Sequence, residues 1–157
     1  MSASLAGAAA GHAQPPADTA HASRATQAER ALVAGINAVR ARHRLAPLRR
    51  VAALTRPARA HSRDLVARRA FTHDSANGSP FSTRLVAAGF PRRRAMAENI
   101  AQVPARGTRA ARVALRMWMA SPPHRANILN RRMRVIGVGF AIRTGRSATV
   151  VTADFGG

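Results

Sequence analysis

Two histidines and one glutamate, carried by three separate segments, are the side chains of this chain that are best suited to chemistry. His73 lies in a Phe-Thr-His-Asp stretch, Glu98 in an Ala-Glu-Asn-Ile stretch and His124 in a Ser-Pro-Pro-His-Arg stretch. Two neutral imidazoles and a carboxylate can bind zinc and leave a fourth position open to water, whose pKa the metal lowers. If the three segments meet in the folded chain, they predict a cleft with the chemistry of a metal-dependent hydrolase.

The separation of these residues along the chain leaves a second interpretation open. Two metal-binding histidines on one helix lie a single turn apart, and neither histidine here has such a partner. The three groups could instead hydrogen-bond to one another and to the backbone, because buried polar atoms need partners. The sequence therefore predicts a site for zinc or another divalent cation, a hydrogen-bonded cluster, or both, at His73, Glu98 and His124.

Acidic residues are scarce, so each of them is informative. The chain has 6 acidic and 26 basic residues, and every basic residue is an arginine. Asp64 precedes Arg68 by one helical turn, which predicts an exposed ion pair worth a few tenths of a kcal/mol, about the usual value for such pairs. Glu98 lies between apolar residues, and no local ion pair accounts for it.

The composition limits the size and the stabilising chemistry of the protein. A chain of 157 residues fits one domain with an adequate core. The absence of cysteine rules out disulfides and thiol nucleophiles. A formal net charge of +20 attracts anionic partners such as nucleic acid, acidic lipid or anionic cell-wall polymer. The arginines are spread over every segment, which is more typical of a general compositional bias than of one polyanion-binding patch. We therefore do not expect nucleic acid to be a physiological partner.

The first 25 residues differ from the remainder of the chain. They are rich in alanine, interrupted by glycine and proline, and show no sustained apolar periodicity, so residues 1–25 are predicted to be a disordered extension. Their small apolar residues resemble the end of a signal peptide without its basic start, and a flexible linker explains them equally well. No stretch reaches the roughly 18 consecutive apolar residues of a transmembrane helix. Residues 26–157 are predicted to form the folded domain, as a monomer.

The periodicity of apolar residues predicts helices first and strands last. Helices are expected from about Thr26 to His43, from Thr55 as the N-cap to Arg69, from Phe81 to Ala88, after Gly107, and as a short turn from His124 to Leu129. Two runs rich in β-branched residues, 135–142 and 148–153, predict a β-hairpin. Gly137 and Gly139 in the first run predict close packing or a bulge. This order of elements indicates an α+β domain with an antiparallel sheet covered by helices.

Several of these segments together resemble the bacterial branch of the CAP superfamily, also called the SCP-like domain. The motifs, in chain order, are Asn-Ala-Val-Arg from Asn37, the stretch 54–64, Phe-Thr-His from Phe71, Ala-Glu-Asn-Ile-Ala from Ala97, Trp118, the stretch 121–129 and Val-Ile-Gly-Val-Gly from Val135. The resemblance covers about residues 29–157. It implies an α-β-α sandwich with a central antiparallel sheet, export from the cell, and a cleft lined by two histidines and acidic residues, which binds a divalent metal in some members.

The resemblance assigns the cleft to particular residues of this chain. Its first histidine corresponds to His73, its glutamate to Glu98 and its second histidine to His124; Asn99 and Ser121 are expected to line the same cleft. Pro123 stands where glycine is usual before the second histidine, and Ser121 stands where many eukaryotic members have a second glutamate. The cleft of this chain is therefore expected to hold a His-Glu-His set instead of four acid and imidazole groups.

Three functions are compatible with these residues. The resemblance and the incomplete cleft favour a secreted, non-enzymatic module that binds a small amphipathic, lipid-like or cell-wall ligand. The second is a metal-dependent hydrolase that acts through His73, Glu98 and His124, with Glu98 as a ligand or a general base. The third is a basic protein that binds polyanions through its arginines alone.

Overall fold

A computed structural model describes residues 17–143, 145 and 148–157, with side chains from residue 25 onward. Its helices and strands are α1 (Ala17–Arg42), β1 (Arg49–Arg50), α2 (Ala52–Arg68), α3 (Phe81–Ala87), β2 (Met96–Val103), α4 (Gly107–Ala120), α5 (Pro122–Leu129), β3 (Val135–Arg143) and β4 (Ala148–Gly156). Within these ranges, no helix is both long and apolar enough to cross a membrane.

The four strands form one sheet in the order β1-β3-β4-β2. β4 pairs antiparallel with both β3 and β2, and the two residues of β1 pair parallel with β3. The pairing of β2 with β4 places Glu98 directly opposite Asp154. The predicted hairpin is confirmed, and the short parallel pair adds to the antiparallel sheet that the sequence predicts.

Helices cover both faces of the sheet, as the predicted α-β-α sandwich requires. Alternate residues of β4, Val151, Ala153 and Phe155, join the main core with residues of α1 and α4. The other face of the sheet packs against α2, and Leu54 of α2 forms a smaller core with Leu85 of α3. Because successive side chains of a strand point to opposite faces, Glu98 and Asp154 point towards the layer that contains α2 and α3.

Some element boundaries differ from the sequence-based predictions. α1 begins at Ala17, so residues 17–25, which were predicted to be disordered, are helical. Residues 1–16, for which disorder was also predicted, lie outside the described ranges. α2 begins at Ala52 with Val51 as its N-cap. Thr55 is not the N-cap; its hydroxyl donates to the Val51 carbonyl at 2.9 Å from within the helix.

Two strands were not predicted from the sequence: the two-residue β1 and the longer β2. β2 is the one that bears on the site. It carries Glu98 and Asn99, two polar residues that are rare in strands. Its residues 98–101 are buried in succession, so the strand lacks the alternation of apolar and polar residues that identifies a half-exposed strand. Glu98 therefore lies on a strand, and the antiparallel pairing of β2 with β4 fixes its position.

Helix α2 lies unusually close to the sheet because two residues of β3 have no side chain. A Cβ atom on Gly137 would lie 2.0 Å from the carbonyl carbon of Leu54, and one on Gly139 would lie 2.3 Å from the backbone nitrogen of Arg59. The hydroxyl of Ser62 donates to the Gly139 carbonyl at 3.0 Å. The close packing predicted for the two glycines is thus present, and it sets the distance between α2 and the strands.

A buried arginine connects α1 to the segment between α5 and β3. Arg40 is fully buried, and its guanidinium donates to the carbonyls of Ala46, Ile128, Asn130 and Met133 at 2.7–3.2 Å. Burial and the nearby charge of Arg134 lower the pKa of Arg40. Backbone carbonyls, not carboxylates, therefore stabilise this charge.

Replacing Gly137 by alanine tests the close packing of α2. We expect the free energy of unfolding to fall by about 3 kcal/mol or more, because the new methyl group would overlap the backbone of α2 and force it away from the sheet. Urea denaturation measures this change. Gly78→Ala is the control: its Cβ would meet nothing within 4 Å, and its φ of 77° costs an alanine about 1 kcal/mol. Equal losses in the two variants would contradict the packing argument.

Candidate functional site

Glu98 is at the centre of a charged cluster between the sheet and the α2–α3 layer. Its side chain is fully buried. The Nδ1 atom of His73 lies 2.7 Å from Oε1 of Glu98, and the guanidinium of Arg84 donates through Nη2 to Oε2. Both carboxylate oxygens therefore accept hydrogen bonds from side chains that can carry positive charge.

The loop that follows α2 carries His73, and interactions on both sides hold this loop in place. Arg69 ends the helix in the left-handed conformation, with φ of 53°. The ring of buried His61 makes a hydrogen bond of 3.0 Å with the carbonyl of Thr72, and Arg84 donates to the carbonyl of His73 at 2.8 Å. His61 thus has a structural role. It and Arg84 bind the carbonyls of two consecutive residues, Thr72 and His73.

Arg84 is the cluster residue that the sequence-based analysis missed. It lies on α3, in a segment without any of the motifs that carry the family resemblance. The one available signal was that buried Glu98 needs a cationic partner and that every candidate in this chain is an arginine. Nothing in the sequence distinguished Arg84 from the other arginines.

The cluster shifts the pKa values of its members in opposite directions. Burial alone would raise the pKa of Glu98, but the hydrogen bond from His73 and the charge and hydrogen bond of Arg84 together hold it below its usual value. The hydrogen bond to Glu98 raises the pKa of His73, and this effect exceeds the opposing effect of burial. The pair is therefore charged over a wider pH range than the free side chains.

A second buried carboxyl group, Asp154, lies behind Glu98. It is the residue opposite Glu98 on β4, it is fully buried, and neither of its side-chain oxygens has a hydrogen-bond partner among the described residues. Burial and the charge of Glu98 raise the pKa of Asp154 well above its usual value. A neutral acid at this position avoids two adjacent negative charges. No motif in the sequence marks Asp154 as part of the site.

The other predicted cleft residues are Asn99 on β2, and Ser121 and His124 at the start of α5. Hydrogen bonds to backbone carbonyls hold these two elements together. Asn99 points to the opposite face of the sheet and donates to the carbonyl of His124 at 3.0 Å. Asn127 of α5 donates to the side-chain oxygen of Asn99 at 2.8 Å and to the carbonyl of Glu98 at 3.3 Å. These bonds fix the start of α5, which carries His124, against β2; Ser121 is the N-cap of that helix.

The imidazole of His124 is not part of the ion-pair cluster around Glu98. Burial, followed by the charge of His73, lowers the pKa of His124, so the two rings interact electrostatically. Among the hydrogen bonds of the described residues, none joins the His124 ring to Glu98 or His73. His73 and Glu98 are thus in direct contact, whereas the His124 ring is bonded to neither of them.

The donor set does not fit the three-ligand zinc site that the sequence predicts. Within the described ranges, no group of three or more histidine and acidic side chains is arranged to hold a metal ion. Both oxygens of Glu98 already accept hydrogen bonds, one of them from the permanently charged Arg84. A cation at the carboxylate would lie beside the guanidinium of Arg84, whose positive charge repels it.

Comparisons with known proteins agree with this fold. The family model "CAP: Cysteine-rich secretory protein family" matches residues 33–155. The uncharacterized protein YkwD of Bacillus subtilis is 34% identical over 128 residues, which are 81% of this chain and 46% of YkwD. The chain thus spans less than half the length of this curated relative.

Solved structures with the same fold come from other bacteria. An extracellular protein containing an SCP domain from Bacillus anthracis superposes with a TM-score of 0.72 at 26% identity, covering 91% of this chain and 44% of that protein. An outer surface protein of Borrelia burgdorferi superposes with a TM-score of 0.69 at 20% identity, covering 80% and 88% of the two chains. The second similarity concerns the fold alone.

Replacing Asp154 by asparagine tests whether this carboxyl group is neutral in the folded protein. A folded-state pKa above the unfolded one means that Asp154 contributes stability below about pH 4, near the pKa of a free aspartate, and that this contribution is lost as the pH rises. Asparagine does not titrate. We therefore expect the free energy of unfolding of Asp154→Asn, relative to wild type, to increase with pH in chemical denaturation between pH 4 and 8.

Asp64→Asn is the matched control with the opposite sign. The hydrogen bond from Arg68 lowers the pKa of Asp64, so the contribution of Asp64 is present above about pH 4 and is lost on acidification. This variant should lose a few tenths of a kcal/mol at neutral pH, about what an exposed pair is worth. A pH-independent difference between Asp154→Asn and wild type would show that Asp154 is ionised in the fold.

Proposed function

The chain belongs to the cysteine-rich secretory protein (CAP) family, and we propose that it acts as an exported, non-enzymatic binding module for a small lipid-like ligand with an anionic head group. Export is supported by the relative described as an extracellular protein that contains an SCP domain. The observation that carries the proposal is a large pocket that is lined by none of His73, Glu98 and His124.

The pocket has a volume of about 750 Å³ and lies between the two helical layers at one end of the sheet. Its walls come from residues 25–28 of α1, the end of α2, the start of α4, and the ends of β3 and β4 nearest their connection. Pockets of roughly 300–1,000 Å³ are typical of sites for small organic ligands. The size therefore suits a ligand larger than a metal ion or a single water molecule.

The chemistry of the pocket suits an amphipathic molecule. Val66, Phe140 and Ile142, together with several alanines, provide apolar walls, and 41% of the Ile142 surface is exposed. An exposed large aliphatic side chain at a concave site favours contact with a hydrocarbon chain.

Three arginines at the same pocket suit an anionic head group. Arg63, Arg106 and Arg109 line the pocket and are exposed. Their guanidinium groups make no hydrogen bond or ion pair with the described part of the chain, so they can bind a carboxylate or a phosphate. This arrangement favours a lipid-like acid over a neutral lipid.

The pocket also favours binding over hydrolysis. The acid and imidazole groups of the chain that could act on a substrate, His73 and Glu98, are not among the residues that line it. In the cleft, both oxygens of Glu98 are engaged by His73 and Arg84. The ion pairs of the cleft are suited to holding a loop, and the pocket to holding a ligand.

Removing two pocket arginines tests this assignment. We expect Arg63→Gln/Arg109→Gln to weaken the binding of a fluorescent long-chain fatty acid at least tenfold, about the effect of losing one charged hydrogen bond, because the carboxylate would lose its cationic partners. Fluorescence titration of the full chain measures the dissociation constant. Arg92→Gln/Arg93→Gln is the matched control: it removes the same charge from exposed residues outside the pocket, and its affinity should change less than twofold.

The pattern of results separates the candidate functions. Equal losses in both double variants would indicate binding by the general positive charge of the protein. A wild-type chain that binds no fatty acid at low salt would contradict the proposed ligand class.

A further inference from the structure

We propose that Arg84 is the cation of the cleft and that it keeps divalent metal ions out of a site shared by Glu98 and His73. The carboxylate of Glu98 is in the place where the family resemblance suggests a metal ligand. In this chain, a guanidinium carried by α3 compensates its charge. The proposal does not depend on the function of the pocket.

The first support is that each oxygen of Glu98 already accepts a hydrogen bond from a side chain that can carry positive charge. Oε1 lies 2.7 Å from Nδ1 of His73, and Oε2 accepts a hydrogen bond from Nη2 of Arg84. The side chain of Glu98 is fully buried and that of Arg84 is 14% exposed. A metal ion would need to enter this buried pair and separate the carboxylate from a guanidinium.

The second support is the state of the His73 ring. Because a carboxylate accepts hydrogen bonds, Nδ1 of His73 must carry the proton in the 2.7 Å bond to Glu98. A protonated ring nitrogen has no lone pair for a metal. Nδ1 of His73 therefore cannot be a ligand while this bond is intact. The other ring nitrogen, Nε2, faces away from Glu98, so His73 and Glu98 cannot bind one ion together.

The third support is that Arg84 is itself held in position. Its Nη1 atom donates to the carbonyl of His73 at 2.8 Å and approaches the hydroxyl of Ser75 at 3.4 Å. One guanidinium thus connects α3, β2 and the loop of His73. A guanidinium suits this role, because its several donors lie in a fixed plane and can bind a carboxylate and a backbone carbonyl at the same time.

The role of Arg84 explains how the loop can be ordered without a metal ion. In a metal site, the ion joins the histidine and the carboxylate; here Arg84 binds the carboxylate of Glu98 and the backbone of His73 at the same time. The cation that connects Glu98 to the loop of His73 is therefore a side chain of the protein. Removing Arg84 should leave the carboxylate and imidazole available to an external cation.

Zinc binding by a set of variants tests the proposal. Calorimetry of the full chain with zinc chloride should give the same weak isotherm for wild type and His73→Ala. Arg84→Met should bind zinc at least tenfold more tightly than wild type, and Arg84→Met/His73→Ala should lose that gain. With cobalt(II) as the probe, visible absorption should change for Arg84→Met only. Zinc binding by wild type that His73→Ala abolishes would overturn the proposal, and so would a folded Arg84→Met variant without any gain.

Two further measurements cover the case in which Arg84→Met does not fold. Arg84→Lys keeps a positive charge but lacks the planar pair of donors; it should bind zinc no more tightly than wild type, and a tenfold gain would contradict exclusion by charge. In wild type, the ring nitrogen resonances of His73 should remain unchanged as zinc is added. A stoichiometric shift of these resonances would show directly that a metal reaches His73.

Discussion

The close contact between α2 and β3 is the constraint on which the remainder of the structure depends. At Gly137 and Gly139 the backbone of the helix takes the space that side chains would fill. The hydroxyl of Ser62 then reaches both the Gly139 carbonyl and the hydroxyl of Thr152, which links the helix to two strands. Because the cleft loop starts where α2 ends, the position of His73 relative to β2 follows from this contact.

Charge is distributed in two different ways in this basic protein. In the cleft, the buried carboxylate of Glu98 has two partners, because it accepts from Arg84 and His73. Burial and the charge of Glu98 raise the pKa of the neighbouring Asp154. At the pocket, the arginines are exposed and have no ion-pair partner among the described residues. Satisfied buried charges favour a fixed structure, whereas unsatisfied exposed charges favour ligand binding. The residues that first suggest catalysis are thus those that the structure uses to hold a loop.

The sequence predicted those parts of the molecule that depend on local patterns. Apolar periodicity identified the helices and the β3–β4 hairpin, and the spacing of Asp64 and Arg68 identified their ion pair. Strand β2 was missed because consecutive buried residues around Glu98 remove the usual alternation. Arg84 and Asp154 were missed because their pairing with Glu98 depends on the packing of α3 and on the register of the sheet. The pocket could not be predicted, since its walls come from five separate elements.

The hydrogen bonds of Arg40 have a consequence for synthesis on the ribosome. Three of its four carbonyl partners lie 88 to 93 residues further along the chain, so α1 leaves the ribosome long before these partners do. Until then, a cationic side chain on the apolar face of α1 has no partner and must stay hydrated. The nascent domain should therefore remain incompletely packed until its last quarter is translated, because closing so long a loop is required before this contact can form.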